Sequence, residues 1–353
     1  MEEIKGLHLG EVSGLTDEEL TFCQQMGVEY IHIPYHLEGQ EKDVEGGHHT
    51  VESLTRSRER VESFDLKIGA VGLPSSSVVR VGSRRGSSII LGAPERDRDI
   101  ENICKSVEAV GKTGIPLLMW GFWGFHTMGL LRNPGITLGK SPLMYSHRGR
   151  GGAIASAFDY EVVKNEPPAP AAPITAEESW ERIEYAVKRV IPVAEEYKVK
   201  MACHPNDVPV PPGTSHRGIA PILNNVEGLK RYIELYPSPY HGLVFCQGCV
   251  AETSTNAEQV YDAIRYFGKR KKIFWVHFRN IRGGLGKFEE AFPDEGDIDM
   301  LKALRIYKET GYNGVLVPDH VPLAEANETG RLRSYAFALG YMRALIQAVE
   351  SEK

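Results

Sequence analysis

The sequence predicts an α/β chain closed into an eight-stranded parallel barrel, and three observations carry that expectation. Short apolar runs of about four to eight residues recur along the whole chain of 353 residues. Each run is followed by a polar loop and then by a longer segment with helical spacing. No glycine-rich dinucleotide fingerprint, the mark of an open doubly wound sheet, interrupts the series.

Taken in order, the strands are expected near Gly6 to Leu9, Val28 to Ile33, Lys67 to Leu73, Ile115 to Trp120, Val199 to Cys203, Gly242 to Cys246, Ile273 to Phe278 and Gly314 to Val317. The helices between them have readable starts. Thr16-Asp17-Glu18-Glu19 and Thr175-Ala176-Glu177-Glu178 each offer a capping hydroxyl followed by acidic residues suited to a helix N-terminus. The plainest helix spans Glu177 to Tyr197, where Trp180, Ile183, Ala186, Val187, Val190, Ile191 and Ala194 repeat at three-four spacing and Pro192 is placed to kink it. Further helices are expected near Thr50 to Phe64, Arg96 to Lys112, Val226 to Leu235, Ala257 to Phe267, Ile298 to Thr310 and Arg331 to Val349. Residues 121–173 break the rhythm. They are rich in Gly, Pro and Arg and emerge from the C-terminal end of the fourth strand, so a lid or an oligomer arm is expected there, inside a single domain spanning 1–353.

Composition narrows the function. With 42% hydrophobic and 25% charged residues the chain can bury a large core, and its net charge of -6 is gathered in no block. A nucleic-acid footprint and a basic membrane patch are therefore not expected; a small-molecule partner is, with a homo-oligomer as a further expectation. The acidic start and the lack of any run of about 18 apolar residues place the protein in the cytoplasm as an expectation. Five cysteines are too few for a disulfide scaffold, so reduced thiols are expected, and the lone CxxC of Cys246 and Cys249 argues only weakly for redox chemistry.

Four side chains stand at or just beyond the C-terminal ends of four successive predicted strands: His204, Cys246, His277 and Asp319. In a barrel those ends converge on one mouth, where enzymes of this fold place their chemistry. Two imidazoles, a thiolate and a carboxylate make a complete ligand set for one divalent transition metal, with zinc or iron the first choice on softness. Each alone is more simply a loop tie, a packing residue or a helix cap; the coincidence of four favours a metal. Asn206, Asp207, Gln247, Arg279, Asn280 and His320 crowd the same rim, and Arg217 lies further along the loop after the fifth strand. Arginine suits capture of a carboxylate, whereas Asn206, Gln247 and Asn280 are equally suited to tying down their loops. His8, His32, His36, Trp120, Trp123 and His126 are the weaker candidates for lining the mouth in the N-terminal half.

From about Trp180 onward the chain resembles the mannonate dehydratases, of the xylose-isomerase-like barrel group. The strings that carry the resemblance include His204-Pro205-Asn206-Asp207, Gly242 to Gly248, Val276-His277-Phe278-Arg279-Asn280, Gly296-Asp297-Ile298-Asp299-Met300 and Pro318-Asp319-His320. The resemblance implies a metal on the same four residues, with manganese ahead of iron or zinc. It also implies a lyase that converts D-mannonate to 2-keto-3-deoxy-D-gluconate. His320 and Tyr335 are then the expected acid and base, and Asp207, Arg217, Arg279 and Asn280 the expected substrate contacts. Asn206 and Val321 depart from the family's pattern, as does the first strand, Leu7-His8-Leu9-Gly10. The rival readings are a sugar isomerase or epimerase of the same barrel group, and a metal- and sugar-acid-binding protein without turnover.

Overall fold

The structure, a computed structural model, describes residues 4–34, 47–73, 78–81, 84–122, 145–169, 172–207 and 210–352. Its centre is a closed barrel of parallel strands, Leu7–Val12, Tyr30–Ile33, Lys67–Gly72, Leu117–Trp120, Lys200–Cys203, His241–Cys246, Ile273–His277 and Gly314–Val317. Each pairs with its neighbours in chain order, and the first pairs with the eighth through Leu7↔Gly314, His8↔Val315 and Leu9↔Leu316. All eight expected strands are present.

Helices Asp17–Gln25, Val51–Glu62, Arg96–Lys112, Ala176–Tyr197, Val226–Glu234, Ala257–Lys269, Met300–Glu309 and Glu328–Ser351 accompany the barrel. The Thr16 and Thr175 hydroxyls cap as expected, accepting from the Glu19 and Glu178 backbone N–H groups while those glutamates bond back to the cap. Pro192 lies inside one continuous helix.

Two apolar layers hold the fold. Outer-facing strand residues such as Ile31, Leu118, Met201, Phe245 and Leu316 pack with helix residues such as Val187, Ile264 and Leu304. Alternate strand residues, among them Ala70, Met119, Ala202, Val244, Trp275, Val315 and Val317, fill the lumen. The lumen is tight. A Cβ on Gly69 would stand 2.7 Å from Trp275 Cζ3, so the indole occupies space that only glycine leaves.

The expected lid or arm is not structureless where it is described. Tyr145–Arg148 and Ile154–Asp159 join the hairpin Ile281–Gly284 and Lys287–Glu290 in an antiparallel sheet beside the barrel. Ile154 also bridges to Leu323, a few residues beyond the eighth strand. A separate hairpin pairs Val78–Val81 with Arg84–Ser87. Among the described residues no helix is long and apolar enough to cross a membrane.

Candidate metal centre

Strand periodicity decides where the four donors point. Ala202, Val244, Trp275 and Val317 all face the lumen, and His204, Cys246, His277 and Asp319 each follow one of them by two residues. The four therefore converge at the C-terminal end of the barrel, with one ligand atom from each lying within 4.8 Å of all the others.

The contacts are specific. His204 Nδ1 lies 2.7 Å from the Pro205 carbonyl, which only accepts, so Nε2 is the ring nitrogen turned toward the group. That Nε2 is 3.2 Å from His277 Nδ1, which is 3.4 Å from Asp319 Oδ2; Cys246 Sγ is 3.8 Å from the same oxygen. Around one tetrahedral ion with bonds of about 2.0–2.3 Å, donor–donor edges would be about 3.3–3.8 Å. The three contacts just given, at 3.2, 3.4 and 3.8 Å, fall close to that range. His277 Nε2 is buried without a hydrogen-bond partner among the described residues, so Nδ1 is the nitrogen with something to bind.

Electrostatics point the same way. Burial alone would push the Cys246 thiol up, yet hydrogen bonds from Cys249, His204 and His277 bring it well below its ordinary range. The Cys249 backbone N–H also donates to Sγ, at 3.4 Å, at the start of the short helix Gln247–Glu252. Burial pulls the His277 imidazole down, but the Asp319 carboxylate and Cys246 sulfur reverse this and raise it to about 10. A buried thiolate and carboxylate demand positive charge at this point, and the donor set fits a divalent cation.

Around the donors the chain is held by a buried ionic network. Arg279, with a fully buried side chain, donates from Nη2 to Glu252 Oε1 and Glu290 Oε1, each at 2.5 Å, and from Nε to Glu290 Oε2 at 2.9 Å. Its Nη1 is 3.4 Å from Asp207 Oδ1, which also accepts from the Cys249 thiol at 2.8 Å. Breaking such a buried set by removing one partner costs about 3–5 kcal/mol. Asn280 is spent on its own loop, donating to the Pro293 and Ile298 carbonyls and accepting from Ile281 and Ile298 N–H. Asn206 and Gln247 likewise tie backbone, at the Phe122 and Arg279 carbonyls.

His320 sits against the donors, with Nδ1 at 2.8 Å from Glu290 Oε1 and Nε2 at 3.6 Å from Asp319 Oδ2. The Tyr335 hydroxyl donates to the Asp319 carbonyl at 2.7 Å. Arg217 is further out, its Nε donating to the Pro167 carbonyl. His32 faces the lumen at the end of the second strand, its ring centroid 6.2 Å from that of Trp275. His8 pairs with Glu29 at the opposite end of the barrel, and Trp120 packs outward on Phe122. His36, Trp123 and His126 lie outside the described residues. Glu252, Glu290 and the Cys249 side chain had no place in the sequence reading: buried acids carry no periodic signal, and only the CxxC hinted at Cys249.

A sequence profile described as D-mannonate dehydratase (UxuA) matches residues 170–353, the stretch that contains every donor. The mannonate dehydratase of Streptococcus agalactiae serotype Ia is 31% identical over 323 residues, spanning 83% of this chain and 87% of that protein. That of Thermotoga maritima is 28% identical over 335 residues, spanning 86% and 87%. Among solved structures, mannonate dehydratase from Streptococcus suis serotype 2 superposes with a TM-score of 0.78 at 24% identity, covering 99% of this chain and 94% of that one. A xylose isomerase domain protein from Planctomyces limnophilus shares the fold at a TM-score of 0.59 and 11% identity, covering 99% of each chain. With most of its length aligned to such relatives and the profile running through the whole converging set, this chain belongs to the mannonate dehydratase family.

Proposed function

We propose that the chain removes water from D-mannonate to give 2-keto-3-deoxy-D-gluconate, with one Mn²⁺ held by His204, Cys246, His277 and Asp319. The observation that carries this reading is the meeting of four donor atoms within 4.8 Å beside His320, in a chain of this family. Dehydration takes a proton from C2 and expels hydroxide from C3, so it needs a base, an acid and a sink for negative charge. An ion held by His204, Cys246, His277 and Asp319 would supply the sink as a Lewis acid.

The proton work falls to His320 and Tyr335, both of which lie against Asp319. His320 offers Nε2, because Nδ1 is taken by Glu290. Tyr335 holds its phenol proton on the Asp319 carbonyl until a better acceptor arrives. Of the expected substrate contacts, Arg217 is the proposed partner of the substrate carboxylate. Asp207, Arg279 and Asn280 serve as the scaffold under it, since their polar atoms are engaged with one another or with backbone. Of the segment expected to form a lid or an oligomer arm, residues 145–169 are read as standing beside the mouth, supported by the Ile154–Leu323 bridge.

The test is a panel of aldonates and uronates incubated with the manganese-loaded protein, reading formation of an α-keto acid, alongside Cys246→Ala. D-mannonate is expected to give the product and the variant to lose both metal and turnover. An isomer of unchanged formula would overturn the reaction, and full metal content in Cys246→Ala would overturn the site.

A further inference from the structure

Glu290 enters the chemistry only through His320, the one histidine to which proton transfer is assigned. Its Oε1 is 2.8 Å from His320 Nδ1, and both side chains are largely shielded from water, Glu290 at 2% exposure and His320 at 12%. A carboxylate only accepts here, so Nδ1 carries the hydrogen and the neutral ring keeps its lone pair on Nε2. We propose that Glu290 is a positioning residue for His320, fixing its tautomer and ring orientation so that Nε2 faces the substrate. This rests on the reading of His320 as a proton-transfer residue.

Glu290 is itself held on every side. Two parallel hydrogen bonds from the planar Arg279 guanidinium, at 2.5 and 2.9 Å, set the plane of the carboxylate. The backbone is set by the accessory sheet. Glu290 ends the strand Lys287–Glu290, which pairs with Ile154–Asp159 from the insertion through Lys287↔Asp159, Phe288↔Phe158 and Glu289↔Ala157. Phe288 stacks on Phe158 with centroids 6.2 Å apart, and Arg279 lies over the Phe288 ring. The insertion after the fourth strand thus buttresses the strand that presents Glu290 to a histidine after the eighth.

A counter-charge role alone does not account for Glu290. Arg279 already has Glu252 at 2.5 Å and Asp207 at 3.4 Å, so one cation faces more carboxylate than it can neutralise. Burial pushes the Glu252 carboxyl well above its ordinary range, with Asp207 and Glu290 adding to it against the pull of Arg279, as expected of an oversupplied site. The third carboxylate is explained by its second partner, His320.

The experiment uses the full-length, metal-loaded protein with D-mannonate and compares Glu290→Gln, His320→Asn, the double variant and Glu252→Gln, with metal content and thermal midpoint recorded for each. Glu290→Gln is expected to lower kcat by about 10- to 100-fold with KM within about threefold and metal content unchanged. In the His320→Asn background the same change should cost less than about threefold, because a residue that acts through another adds nothing once that other is gone. Glu252→Gln, which takes a carboxylate from the same guanidinium without touching His320, should keep at least about ten times the kcat of Glu290→Gln. Wild-type turnover in Glu290→Gln, equal losses in both backgrounds, or equal losses from Glu252→Gln would each overturn the proposal. Should Glu290→Gln fail to fold, Glu290→Asp keeps the charge beside Arg279 while drawing the carboxylate back from His320, and is read by the same cycle. Wild-type turnover in His320→Asn would overturn the reading of His320 itself.

Discussion

At the scale of single residues, the proposed donor cluster is expected to bind metal in competition with protons. His277 is raised to about 10 by Asp319 and Cys246, so near neutrality its ring carries a proton that an incoming cation must displace. Metal uptake should therefore release protons and tighten as pH rises toward 10, which titration calorimetry in buffers of different ionisation enthalpy measures directly. In chelator-treated protein the sign is opposite. A raised folded-state value means that the stability contributed by protonated His277 is complete below the unfolded value of about 6.5. It is lost as pH climbs through about 10, so the thermal midpoint of that form should fall between pH 7 and 10. The four donors were legible in the sequence because each ends an apolar run, a position the barrel turns into convergence. Glu252 and Glu290 were not, because what makes them matter is a guanidinium brought to them only by folding.

At the scale of elements, every barrel strand was legible because a strand buried on both faces reads as a continuous apolar run. The helix starts at Thr16 and Thr175 were legible for a local reason, the capping box. The accessory sheet was not. Its strands Tyr145–Arg148 and Ile281–Gly284 are four residues each and contain Arg or Gly, so their pairing is decided by tertiary neighbours. Strand packing also supports a prediction at Gly10, where a Cβ would meet Val315 Cγ1 at 2.4 Å and Val317 Cγ1 at 2.9 Å on the adjacent eighth strand. Gly10→Ala should destabilise the fold by about 1–3 kcal/mol, the range for overpacked cores, seen as a lower denaturant midpoint at unchanged slope.

At the scale of the molecule, the proposed chemistry gathers on one side. All donors, with His320 and Tyr335, lie between residues 204 and 335, on or after the fifth to eighth strands, while strands one to four contribute the opposite wall. That division matches the profile match over residues 170–353. It also explains why the N-terminal half said little about function: its rim residues had no partners in sequence to make a pattern.

The convergence of donors from four adjacent strands has a mechanical corollary. An ion gripped there clamps four segments far apart in the chain, so its binding energy is available only while all four strands remain seated together. Removing it should loosen the wall from residue 200 to 320 before the wall built by strands one to three. Hydrogen–deuterium exchange before and after chelation would register this as faster amide exchange confined to the C-terminal half, and uniform acceleration across the barrel would contradict it.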